Sequence, residues 1–193
     1  MSSETLSQVL DHIDATIQGA TAHLLELLRI PSISTDPAHK NDCDRAATWL
    51  VKDLKSIGFE VSKRPTPGHP MVVAHAGSAG PHVIFYGHYD VQPVDPIDLW
   101  NHPPFDPTIE DGTKGAIIRA RGSSDDKGQL MTFIEACRAW KTIHGTLPGK
   151  ISLFFEGEEE SGSPSLVQFM KDNAEELTAD IALICDTGLC LLY

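Results

Sequence analysis

Glu156, Glu158, Glu159 and Glu160 place four carboxylates within five positions, in the run "EGEEESGS", directly after the apolar stretch "ISLFF". Like charges at that density repel, so they close a buried strand either as a solvated loop or around a cation. Three other segments offer comparable groups: "HVIFY" runs into Gly87-His88-Tyr89-Asp90, "IALIC" runs into Asp186, and Asp125-Asp126 stands in "RGSSDDKGQ" ahead of an expected helix. One histidine among several carboxylates suits Zn²⁺, Mn²⁺ or Co²⁺, whereas an all-oxygen set would suit Mg²⁺ or Ca²⁺. Two ions about 3.5–4 Å apart could share one bridging carboxylate. A further glutamate, unligated and beside them, could take a proton from water. That is hydrolytic machinery.

Taken singly, each group has a plainer reading. His88 could be an ordinary surface or core histidine, Asp125-Asp126 a helix cap, and Asp186 a turn residue after a strand. Asp90, two residues past His88, could hold the imidazole's other N–H and fix its tautomer. Glu156 and Glu158 are expected to be solvated or structural even where their neighbours bind metal. Convergence from four separate segments favours the site. Rival machinery is missing from the sequence, which has no G-x-S-x-G, H-E-x-x-H, Walker A or G-x-G-x-x-G pattern.

The elements that would position these groups follow from periodicity. Leu6, Val9, Leu10, Ile13, Ile17, Leu24, Leu25, Leu27 and Leu28 have helical spacing over residues 4–28, and Pro31 ends that helix. "NDCDRAATWLVKDLKSIG" reads as a second helix, capped by Asn41 or Asp42 and stopped by Gly58. "EVSKR", "PMVVAHA" and "HVIFYG" read as strands, residues 92–116 as a long polar loop, and Lys127–His144 as a helix. Strand "KISLFF", a helix near 164–172 and strand "DIALIC" follow. Alternating strands and helices, several strands being continuous apolar runs, predict an α/β domain with a mainly parallel sheet flanked by helices. In such sheets the ligand crevice lies outside the carboxyl ends of the strands, so parallel strands would bring the acidic clusters to one rim.

Composition narrows the function. The 193 residues amount to about one ordinary domain, and 41% hydrophobic with 22% charged content is that of a soluble globular protein. A net charge of −12 argues against a nucleic-acid partner. No run approaches the roughly 20 apolar residues of a membrane span, and the acidic N-terminus lacks the basic start of a signal peptide. Cys43, Cys137, Cys185 and Cys190 form no C-x-x-C pair and read as free thiols, for which a reducing cytoplasm is expected.

In order, spacing and context, "GHYDVQP" (87–93), "RGSSDDKG" (121–128), "EGEEESGS" (156–163) and "CDTG" (185–188) resemble the M20 family of metallopeptidases. "DLWNHPPFDPTIEDG" looks like the carnosinase-like dipeptidase branch. The resemblance implies a zinc-exopeptidase-like catalytic domain, two zinc-type ions (manganese or cobalt being alternatives) and a small peptide or amide substrate. By motif position His88, Asp125 and Asp186 would bind the first metal, with Asp90 orienting His88. Asp125 would bridge to a second metal bound by Glu160, often with a cis peptide following it, and Glu159 would be the general base.

The sequence also departs from the pattern. The family continues past the aspartate matching Asp186 into a lid or dimerisation domain and returns to supply a last histidine ligand. The apolar tail at 189–193 is atypical at that point. Residues 1–188 are therefore expected to be the N-terminal portion of the catalytic domain. The parent is expected to hydrolyse dipeptides, with two alternatives: an inactive fragment holding at most one metal, or a deacylase of N-acyl amino acids. Oligomeric state stays open, a homodimer being among the forms the resemblance allows.

Overall fold

The computed structural model of the chain describes residues 3–113 and 115–187; Cys190 and the 189–193 tail lie outside the described residues. Helix α1 (Ser3–Leu28) is followed by α2 (Lys40–Ser56), β1 (Glu60–Arg64), β2 (Met71–Ala76) and β3 (His82–His88). Then come β4 (Thr108–Gly112), β5 (Gly115–Arg119), α3 (Lys127–His144), β6 (Lys150–Glu156), α4 (Leu166–Asp172), α5 (Ala174–Leu177) and β7 (Ile181–Ile184). Among the described residues no helix is long and apolar enough to cross a membrane.

Five strands form the central sheet in the order β1-β2-β6-β3-β7. β3 lies parallel to β6 and β7, while β2 is antiparallel to both β1 and β6. Four of the five strands thus point the same way, and β2 alone is reversed. The sheet is mainly parallel, as the apolar runs predict. Register places His88 opposite Glu156 and Tyr86 opposite Ile184, so the carboxyl ends of β3, β6 and β7 share one edge.

Alternation of side chains divides the core. Val72, Ala74, Phe85, Leu153 and Phe155 face one side, where Leu50 and Leu54 of α2 and Leu130 and Ile134 of α3 meet them. There Phe85 stacks on Phe133 with ring centroids 4.3 Å apart. Met71, Val73 and Phe154 face the other side, under Leu177, with Phe169 stacked on Phe154. β7 is barely covered: Ile181, Leu183 and Ile184 are 48%, 41% and 67% exposed.

Two expectations need correcting. α2 begins at Lys40, without Asn41 or Asp42 as cap. Pro37 opens a 3-10 turn at Pro37–His39, capped by Asp36, whose Oδ1 accepts from Ala38 N at 2.9 Å, and α2 continues from it. Asp42 instead accepts from Arg45. The stop is as expected, with Gly58 at φ +75 and its N–H donating to Lys55 O. The second correction concerns residues 92–116, which are not all loop: β4 pairs antiparallel with β5 as a separate hairpin. Cys43, Cys137 and Cys185 are free thiols, the first two buried.

Candidate metal centre

The parallel strands β3, β6 and β7 deliver His88, the 156–160 acidic run and Asp186 to one rim, and the segment before α3 adds Asp125 and Asp126. His88 is fully buried. Its Nδ1 lies 3.1 Å from the backbone oxygen of Asp90 and 3.3 Å from Asp90 Oδ1. A carbonyl oxygen only accepts, so Nδ1 carries the proton and the lone pair of the neutral ring sits on Nε2.

That Nε2 is 3.0 Å from Asp125 Oδ1, 3.9 Å from Glu159 Oε2 and 4.0 Å from Asp186 Oδ1. It is buried and has no hydrogen-bond partner. A lone pair facing three carboxylates is repulsive unless a proton or a cation lies between them. Burial lowers the affinity of the ring for a proton, but the Asp90 carboxylate, with Asp126 and Asp125 behind it, overrides burial and lifts the imidazole pKa to about 10. The site therefore attracts positive charge, and one nitrogen among oxygens is a donor set that suits a zinc-type ion.

Two groups of donor atoms lie within 4.8 Å of one another: His88 with Asp125 and Asp186, and His88 with Glu159 and Glu160. Asp125, Asp186 and Glu159 keep 59%, 37% and 35% of their side-chain surface exposed, so the rim opens to solvent. Burial raises the pKa of Glu159, His88 pulls it down, and Asp186, Asp90 and Asp125 push it up. The net effect is an increased proton affinity.

The surrounding residues hold this geometry. Buried Asp90 accepts the backbone N–H of Glu160 on Oδ2 at 3.1 Å. Asp126, joined to Asp125 by a cis peptide, accepts the backbone N–H of His88 at 3.0 Å. Gln92 donates its side-chain amide to Glu160. Sequence reasoning gives Asp126 only as the second member of an acidic pair or a helix cap, and Gln92, inside the 87–93 motif, it does not single out. Glu156 and Glu158 are not solvated but buried. Glu156 accepts from Tyr86 Oη at 2.5 Å and Ser163 Oγ at 3.0 Å, while Glu158 accepts from His69 N and Ser165 N at 3.2 Å each. Their role is structural.

Comparisons with known proteins bear on the family and the fold. The chain is 32% identical over 155 residues to a succinyl-diaminopimelate desuccinylase of Hahella chejuensis, covering 78% of this chain and 38% of that protein. It is 30% identical over 198 residues to the Cys-Gly metallodipeptidase DUG1 of Saccharomyces cerevisiae, covering 95% and 41%. The solved structure of that yeast dipeptidase superposes with a TM-score of 0.87 over 96% of this chain and 42% of its own. Human carnosine dipeptidase 1, 28% identical, also gives 0.87, over 94% and 41%. The chain thus spans about two fifths of the length of the curated relatives it matches. The model of peptidase family M20/M25/M40 matches residues 84–191, more than half of the sequence and all four acidic segments. With the family model matching more than half of the sequence and the fold in agreement, the chain belongs to peptidase family M20/M25/M40.

Proposed function

We propose that this chain carries the metal-dependent hydrolytic site of an enzyme acting on dipeptides or related small amides. The observation that carries the reading is His88 Nε2, buried without a hydrogen-bond partner and faced by carboxylates from three separate segments. His88, Asp125 and Asp186 hold one divalent ion, zinc by preference and manganese or cobalt as alternatives. Asp125 and Glu160 contribute to a second. When bound, such ions polarise the scissile carbonyl and acidify water.

The remaining steps belong to the protein. Glu159 Oε2 points to the same nitrogen as the ligands, and its increased proton affinity equips it to take a proton from water and return it to the leaving amine. Asp90 fixes the His88 ring. A desuccinylase and a dipeptidase both break an amide bond, and both match at similar identity. The amide class is therefore better supported than either substrate. A second reading, a one-ion site without turnover, is favoured by one feature: both donor groups among the described residues share His88 as their sole nitrogen.

The test is a zinc titration of metal-free protein alongside hydrolysis of Cys-Gly and of an N-succinyl amino acid. About one tight equivalent, lost in His88→Ala, is expected. Turnover above that of Glu159→Gln supports the hydrolase. Zinc binding without such turnover supports the second reading, and no tight binding sinks both.

A further inference from the structure

Gln129 sits in the first turn of α3, only 6% exposed. Its Nε2 donates to Ser124 O at 2.9 Å and to Thr187 O at 2.7 Å. Its Oε1 accepts from Thr187 N at 3.2 Å and Thr187 Oγ1 at 2.8 Å. A carboxamide has two donors and two acceptor sites, and here all four are used. The amide cannot be flipped, because its oxygen would then face two carbonyl oxygens. Its partners adjoin the rim: Ser124 immediately precedes Asp125, and Thr187 immediately follows Asp186. β7 pairs with β3 as far as Ile184, and Cys185 N reaches Tyr86 O at a long 3.4 Å. Past that point Gln129 takes over the backbone.

We propose that Gln129 is a positioning residue for the metal centre, a clamp that holds Asp186 in register with Asp125 so that both carboxylates face His88 Nε2 before an ion arrives. The inference rests on reading His88, Asp125 and Asp186 as ligands. One amide bonded to the chain next to both aspartates couples two segments that the sheet alone leaves independent. Gln129 neither binds the ion nor touches substrate. It sets the distance between two like charges that would otherwise drift apart.

Two readouts on the full chain test this with Gln129→Met. In metal-free protein, amide hydrogen exchange at Cys185–Thr187 is expected to accelerate about tenfold or more while the β3 amides keep their protection. Zinc affinity is expected to fall about 10–100-fold, as for other residues that orient ligands. In an Asp186→Ala background the same substitution should change zinc affinity by less than about twofold, because the residue it acts through is gone. Unchanged exchange at 185–187, or an equal affinity loss in both backgrounds, overturns the clamp. Should Gln129→Met fail to fold, Gln129→Glu keeps the acceptor half and loses both donors, and exchange at 185–187 is then the deciding readout, because the added charge shifts zinc affinity by itself. If the wild-type chain binds no zinc, the ligand reading fails, and exchange at 185–187 decides the clamp by itself.

Discussion

Glu156 and Glu159 stand three positions apart in one acidic run and meet different fates. Glu156 ends β6 fully buried, held by the Tyr86 and Ser163 hydroxyls, while Glu159 keeps about a third of its side chain in solvent at the rim. The run announces a crowded charge but not which of its members turns inward, because that depends on a tyrosine 70 residues away. Asp126 is similar. Burial, partly offset by the His88 backbone N–H and ring, raises its pKa from 3.8 to about 7. The folded state then binds a proton that the unfolded chain has released, so ∂ΔG/∂pH is negative between the two values. In chelator, stability contributed by Asp126 should be full below about pH 4 and decline as pH rises to about 7. Thermal melts across that window in wild type and Asp126→Asn check this. The variant should show the flatter profile, and parallel profiles would mean Asp126 does not titrate there.

Helices and strands were legible wherever burial imposes a period. α3 runs over Lys127–His144 as its spacing predicts, and the apolar runs all became strands. Direction was not legible, since a continuous apolar run such as β2 reads the same whichever way it points. The β4–β5 hairpin escaped because it buries little: Ile109 and Ile117 are 53% and 37% exposed, so no clean alternation marks it. Nor could the sequence show that β3 and α3 meet through a glycine. A Cβ on Gly87 would lie 2.6 Å from Asp126 Oδ2, the atom that accepts the His88 backbone N–H. Gly87→Ala should push Asp126 off that bond and cost about 1–3 kcal/mol, the usual range for overpacking. Denaturant unfolding measures it. The penalty should shrink markedly in an Asp126→Ala background, where the obstructing carboxylate is absent, and an undiminished penalty would place the strain elsewhere in the strand.

For the whole molecule, 27 acidic against 15 basic residues leave a net charge of −12, and Asp125, Glu159, Glu160 and Asp186 concentrate part of that excess at one rim. Without a cation, repulsion there opposes the convergence of β3, β6 and β7, and screening should relieve it. The Debye length falls from about 10 Å at 0.1 M salt to about 3 Å at 1 M. Metal-free protein should therefore melt higher in concentrated sodium chloride than in dilute buffer. Zinc at about 100 times its dissociation constant should add roughly 2.7 kcal/mol by mass action. It should also flatten the salt dependence, because the densest charge cluster is then neutralised locally and screening has less left to do. His88→Ala separates this from loose binding over the acidic surface: it removes the nitrogen both donor groups share while leaving every carboxylate in place. The variant, which also loses the imidazolium charge that offsets the carboxylates, should show a salt response at least as large and lose the zinc shift. A zinc shift that survives it would put the ion on the general acidic surface, and the parallel strands would then converge on a rim that holds charge without using it.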